Sequence, residues 1–301
     1  MSIAALYVLC RWIHFASALQ IFGLALYVGW IAPPKLRNGL EKQLNPLRGV
    51  CLMLCALSSW LIVALQAGLM GDGWGDAFQP MIWLAVMQTT FGEAWLFQLI
   101  FSSLLVAVLC LPAVMRRGML IILAFALLVT LARTGHASAE QGVLGIVHRL
   151  NNGVHLLSAG FWFGGLVPFG LCIKELQRQT AAKNFAMDAV IRYSRWGHLA
   201  VAFVIVTGMV NTILILGHWP LDFNSLYERW LWGKVLLVAA MVAIALYNRY
   251  RVVRSIGSNR QQAFILLARN AAVEWVLALL VLAAVSFFRN TTANLDRIVS
   301  G

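Results

Sequence analysis

The sequence has little charge for its length. Only 11% of its 301 residues are Asp, Glu, Lys or Arg, and 61% are apolar. Soluble globular proteins carry about 25% charged residues, so this chain has too few of them to cover the surface of a soluble fold. The composition therefore excludes a soluble enzyme, a disulfide-rich secreted domain and a disordered chain. It predicts a multi-pass membrane protein.

Catalytic and nucleotide-binding motifs are also missing. The sequence contains no G-x-x-x-x-G-K-[ST], H-E-x-x-H, G-x-S-x-G or C-x-x-C. The missing motifs argue against a nucleotide-driven pump and against the common classes of hydrolase. We therefore expect that this protein is not an enzyme. The five cysteines lie in apolar segments, and only Cys51 and Cys55 share a helical face. We interpret that pair as packing rather than as a metal site.

Eight apolar segments are long enough to cross a bilayer, which needs about 20 residues per helix. They predict an all-α bundle of eight transmembrane helices that forms one integral membrane domain over residues 1–301. The segments cover residues 3–32, 48–70, 92–112, 118–134, 148–173, 190–217, 229–249 and 264–288. The connection 71–91 begins with turn residues and continues as an amphipathic stretch, which we expect at the outer interface or over the end of the bundle.

The basic residues are concentrated in alternate connections. Sixteen of the 23 Lys and Arg residues lie in connections 33–49, 113–117, 174–196 and 249–269, and most acidic residues lie in the others. The positive-inside rule then places both termini outside the cytoplasm. The formal charge of +12 is explained by cytoplasmic loops. We therefore expect contact with the lipid bilayer and no nucleic-acid binding.

The histidines are the most informative polar residues. His14 lies within helix one, and His148 and His155 lie two turns apart on one face of helix five. His136 lies in the external loop before that helix. Ionisable residues are costly in a bilayer, and imidazole binds copper, zinc and haem iron. These four histidines predict a metal site in the outer leaflet. The alternative is that each one forms hydrogen bonds between helices.

A second group of polar residues lies deeper in the chain. Glu274 is in the cytoplasmic half of helix eight, and His198 of helix six is its candidate partner. A buried carboxylate is paired or protonated, so Glu274 moves protons, binds a departing ion or holds two helices together. Asn211 and Lys234 are further supporting residues within helices six and seven, where Asn211 can hydrogen-bond across helices and Lys234 can snorkel.

Several motifs extend over nearly the whole length of the chain. They are Arg11-Trp12-Ile13-His14-Phe15, Gly71-Asp72-Gly73-Trp74, Gly135-His136-Ala137, His148, the run from His155 through Trp162 to Leu166, Gly197-His198, Asn211, Lys234 fourteen residues before Asn248, and Glu274-Trp275. With these motifs the chain resembles the copper resistance D family, the CopD/PcoD-type proteins with their YebZ-like members.

The resemblance implies an eight-helix protein of the Gram-negative inner membrane with both termini periplasmic. It also implies a periplasmic CopC-type copper chaperone as partner and copper carried toward the cytoplasm. Copper as the metal comes from the resemblance alone. The alternative function is a b-type haem redox protein, with His14 and His155 as axial ligands and copper as a substrate for reduction. Trp162 and the glycines after it either pack against the metal or serve helix contact.

Overall fold

The protein is a bundle of long helices. The computed structural model describes residues 2–134, 142–178, 181–220, 222 and 225–299, without the side chains of 226, 227 and 288–299. In these ranges the chain forms nine α-helices and no strand. They are α1 Ile3–Leu26, α2 Pro34–Met70, α3 Pro80–Met87, α4 Thr90–Ala107, α5 Ala113–Leu131, α6 Gly142–Arg178, α7 Lys183–Leu216, α8 Leu226–Tyr247 and α9 Arg260–Val299. Eight helices are long and apolar enough to cross a membrane, which confirms the predicted fold class. The orientation of the termini stays a prediction.

The second helix is longer than its apolar segment. We predicted a helix over 48–70, whereas α2 begins at Pro34. The additional turns are amphipathic, because Leu36, Leu40 and Leu44 recur every fourth residue and are buried against the bundle. Average hydropathy does not detect such a segment, since charged residues occupy its other face. Much of the predicted basic connection between helices one and two is therefore helical.

The helices differ in how much of their surface lies inside the protein. In the span that contains α1, 61% of the apolar stretch is buried inside the protein, whereas the buried share is only 6% in the span that contains α8. Helices α1, α2 and α6 form the centre, and α7 and α8 expose apolar side chains at the periphery. A lipid bilayer solvates apolar side chains that face outward from a helix bundle. The short α3 lies in the predicted amphipathic connection, where the indole of Trp83 donates to the carbonyl oxygen of Ala77 at 2.8 Å.

Helices α1 and α6 meet through glycine. A Cβ added to Gly164 would lie 2.7 Å from the Cα of Gly23, so the two backbones are in direct contact. A Cβ added to Gly160 would lie 3.3 Å from a methyl group of Leu19. In both pairs the residue of α6 follows its partner in α1 by the same number of positions in the sequence. The two helices therefore run parallel in a fixed register. Small residues permit this close packing between membrane helices.

We predict that Gly164→Ala destabilises the bundle by about 1–3 kcal/mol, because the new methyl group meets backbone that cannot rotate away. The matched control is Gly170→Ala on the same helix, where an added Cβ meets nothing within 4 Å. Alanine also favours a helix over glycine, so the control should unfold at the wild-type temperature or slightly above it. Thermal unfolding in detergent measures both. Equal midpoints for the two variants would contradict the glycine contact.

Candidate functional site

His14 of α1 is fully buried and contacts α2 and α4. Its Nε2 lies 3.2 Å from Oε1 of Gln98, and its Nδ1 lies 3.2 Å from the hydroxyl of Ser58 and 3.1 Å from the carbonyl oxygen of Cys55. The indole of Trp95 packs against the imidazole, with ring centroids 5.2 Å apart. The imidazole is therefore held on all sides by groups from two neighbouring helices.

The neighbours of Gln98 determine how its amide is oriented. The Gln98 amide nitrogen donates to the carbonyl oxygen of Leu127 at 3.2 Å and to the hydroxyl of Thr130 at 2.8 Å. A carbonyl only accepts, so the amide oxygen of Gln98 faces Nε2 of His14. Nδ1 faces a second acceptor, the carbonyl oxygen of Cys55, so two acceptors compete for the single proton of the neutral imidazole.

A sulfur atom also lies near Nδ1 of His14. The Sγ of Cys55 lies 3.9 Å from Nδ1 of His14. A metal ion lies about 2.3 Å from a thiolate and about 2.0 Å from an imidazole nitrogen, so two donors near 4 Å apart can bind one ion at an open angle. From the sequence we interpreted Cys55 as a residue that packs in the core. The sequence feature that singled it out was its position on the same helical face as Cys51. Among the described residues, no three His, Cys, Asp or Glu side chains lie close enough to hold one metal ion.

His155 belongs to a different contact, between α6 and α7. Its Nδ1 lies 2.9 Å from the hydroxyl of Thr207, and Asn151 one turn earlier donates to the side chain of Asn211 at 2.8 Å. Lys234 of α8 is close enough to act electrostatically on His155. Asn211 thus holds α6 and α7 together.

The two deep histidines share a level in the bundle but contact different helices. Gly160 lies opposite Leu19, and the same register in the parallel α1 and α6 brings His155 level with His14. His14 contacts α2 and α4, whereas His155 contacts α7 and α8. Each imidazole is therefore held by hydrogen bonds to its own neighbours.

The other predicted histidines have separate surroundings. His148 is buried on α6 with 2% of its surface exposed, two turns before His155. His136 lies outside the described residues. His198 is exposed on α7, and its ring bonds the carbonyl oxygen of Ser194. The prediction that His198 pairs with Glu274 is wrong, because the exposed imidazole is engaged within its own helix.

Glu274 of α9 is held by neutral donors instead. Its carboxylate accepts from the indole of Trp162 and from the side-chain amide of Asn248, each at 3.2 Å. Asn270 donates to Asn248 at 2.6 Å. Within the described part of the chain Glu274 has no ion-pair partner. Asn248 begins a π-helical turn at the end of α8, a geometry that often marks functional sites.

Further hydrogen bonds surround this carboxylate. The indole of Trp275 donates to Gln20 at 2.8 Å, and Gln20 donates to the carbonyl oxygen of Gly164 at 2.9 Å. The hydroxyl of Tyr193 donates to the carbonyl oxygen of Trp162 at 2.6 Å. Sequence analysis identified Glu274 and Trp162 but missed Gln20 and Tyr193, since single polar groups in apolar helices carry no motif. Together these bonds connect helices α1, α6, α7, α8 and α9.

The chain matches known families over most of its length. Residues 1–146 match the model described as Copper resistance protein D-like, N-terminal domain, and residues 187–288 match that of Copper resistance protein D. The chain is 35% identical to Inner membrane protein YebZ of Escherichia coli (strain K12) over 285 residues, which cover 94% of this chain and 97% of YebZ.

Two further relatives are more distant. Copper resistance protein D of Pseudomonas syringae pv. tomato is 29% identical over 80% of both chains. Copper transport protein CutJ of Bacillus subtilis (strain 168) is 29% identical over 72% of this chain and 40% of CutJ. No solved structure matches the chain. With eight candidate spans and these matches, the chain is a multi-pass membrane protein that belongs to the copper resistance protein D family.

Proposed function

We propose that this chain is an inner-membrane protein that accepts copper on the periplasmic side and passes it toward the cytoplasm. Relatives named for copper resistance, for copper transport and for the inner membrane support the substrate and the location. The observation that carries the proposal is the buried imidazole of His14, whose Nδ1 lies 3.9 Å from the Cys55 sulfur. The distribution of basic residues supports the direction.

The His14 pocket suits a soft cation. Thiolate and imidazole are ligands that copper(I) prefers, and the thiol of Cys55 loses its proton when the ion binds. When Nε2 of His14 carries the proton, it donates to the amide oxygen of Gln98, as metal-binding histidines do to their outer hydrogen-bond partners. In this tautomer Nδ1 and the Cys55 carbonyl oxygen are two acceptors 3.1 Å apart. A bound cation relieves that contact.

The remaining histidines form a path to this pocket. In our proposal copper arrives from a periplasmic CopC-type chaperone near His136 and His148, and then passes His155 at the depth of His14. The charge of Lys234 opposes a second cation beside His155. We therefore assign the tighter site to His14 and Cys55, and a transient one to His155.

Glu274 supplies a negative charge deeper along the proposed path. A carboxylate held only by neutral donors can attract a cation that leaves the His14 pocket, or exchange it for a proton. We propose that its ability to ionise is used during transport. Its hydrogen bonds to Trp162 and Asn248 also hold α6, α8 and α9 together, so the two roles need separate tests.

We predict that Cys55→Ser and His14→Ala each weaken copper(I) binding by at least about 10–100-fold, because each removes one of two ligands. Competition with a chromophoric copper(I) chelator, under reducing conditions in detergent, measures the affinity. Cys51→Ser is the matched control, since this buried cysteine lies one turn earlier on α2 and is not among the contacts of His14. His218→Ala is a second control at an exposed imidazole. Unchanged stoichiometry in a His14→Ala/His155→Ala double variant would rule out the assignment.

An optical spectrum of the purified protein separates the copper proposal from the haem alternative. We expect no Soret band, because His14 and His155 contact different helices. The sample should be purified from cells supplied with haem, and spectra recorded before and after dithionite. A Soret band that shifts on reduction and disappears in His14→Ala or His155→Ala would favour the haem protein and overturn the copper pathway.

Two substitutions at Glu274 separate charge from packing. Glu274→Ala leaves the donors of Trp162 and Asn248 without an acceptor, and we predict a loss of about 0.6 kcal/mol for each hydrogen bond. Glu274→Gln keeps an acceptor oxygen, so its unfolding midpoint should stay closer to wild type. Copper uptake into proteoliposomes should nevertheless fall severalfold in Glu274→Gln, since the amide cannot ionise. If Glu274→Gln took up copper at the wild-type rate, the carboxylate would have only a structural role.

A further inference from the structure

An arginine cluster lies where α1, α2 and α5 meet at the basic end of the bundle. Arg117 near the start of α5 forms a two-point ion pair with Glu41 of α2, with its Nε 2.7 Å from Oε1 and its Nη2 2.9 Å from Oε2. Arg48 of α2 is 9% exposed. The positive charges of Arg116 and Arg117 disfavour the charged form of Arg48, whereas the negative charge of Glu41 favours it. Three guanidinium groups therefore lie near one another, and one carboxylate, Glu41, interacts with Arg117 and Arg48.

Two buried donors in this cluster have no partner. Arg48 donates through Nη2 to the side chain of Asn45 at 2.5 Å. However, Nε of Arg48 and Nε of Arg116 are buried without a hydrogen-bond acceptor anywhere in the described chain. A buried donor without an acceptor costs about 1–3 kcal/mol, and a charged group costs more. The cluster therefore lacks both negative charge and acceptor oxygens.

The same place contains a shallow cleft with an apolar side. Its lining combines the charged residues Glu41, Arg48 and Arg117 with the apolar side chains Leu24, Val28, Leu44 and Leu120. These residues come from the end of α1, the amphipathic first half of α2 and the start of α5. A ligand that matches the cleft has an anionic group next to a hydrocarbon chain.

We infer that the arginine cluster binds the phosphate of an anionic phospholipid, with an acyl chain along the apolar side of the cleft. Phosphate oxygens bind guanidinium groups in a bidentate geometry, and in this cleft they would supply the negative charge and acceptor that Arg48 lacks. The cluster lies where three membrane-spanning helices begin or end, which is the level of lipid headgroups. A free phosphate ion would leave the apolar side uncovered. The site is separate from the proposed copper pathway.

Thermal unfolding of the full chain in a neutral detergent tests this inference. We expect phosphatidylglycerol to raise the unfolding midpoint more than phosphatidylcholine does at equal mole fraction, with inorganic phosphate having no effect. Arg48→Gln should lower the apparent affinity for phosphatidylglycerol by about tenfold, the equivalent of one charge-assisted hydrogen bond. Arg254→Gln, an exposed arginine at the same end, should keep the wild-type shift.

Several outcomes would overturn the inference. They are equal shifts with the two lipids, a full shift with inorganic phosphate alone, and an unchanged phosphatidylglycerol shift in Arg48→Gln. Native mass spectrometry of the wild-type protein gives a second measurement that does not depend on a variant folding. We expect an anionic phospholipid to remain bound through purification, and a protein that carries only zwitterionic lipid would contradict the site.

Discussion

The backbone contact between Gly23 and Gly164 sets the geometry of the rest of the bundle. Because no side chain separates α1 from α6, the two helices have one register and one distance. That register brings His14 level with His155 and places Gln20 within 2.9 Å of the Gly164 carbonyl oxygen. Polar side chains of an apolar bundle find partners only if the helices that carry them cannot slide. Both polar regions therefore depend on this contact.

The two polar regions are organised differently. Around His14, three acceptors or hydroxyls surround one imidazole. Around Glu274, one carboxyl group receives hydrogen bonds only from neutral groups. The first arrangement places an imidazole nitrogen beside a thiol, and the second presents carboxyl oxygens. In the proposed pathway, copper meets soft donors first and a hard oxygen donor afterwards.

The sequence predicted the helices because a spanning segment must be both long and apolar, and the eight segments are. It also identified His14 and Glu274, since an ionisable residue inside a bilayer is conspicuous. It could not predict their partners. Whether Glu274 meets His198 or Trp162 depends on the rotation of each helix about its axis, and one sequence carries little information on that rotation. Cys55 was interpreted as packing for the same reason, because an apolar helix buries thiols whether or not they face an imidazole.

The complete burial of His14 and Cys55 has a consequence for the electrical insulation of the membrane. Both side chains have no surface exposed, so in this conformation water does not reach the sulfur or the imidazole. In the proposed pathway, an ion would enter or leave this pocket when the helices around it, α1, α2 and α4, move apart. A pocket built in this way would keep protons and sodium ions from leaking through it at rest. The proposed ion passage would be limited by that movement, and so would be far slower than passage through an open pore.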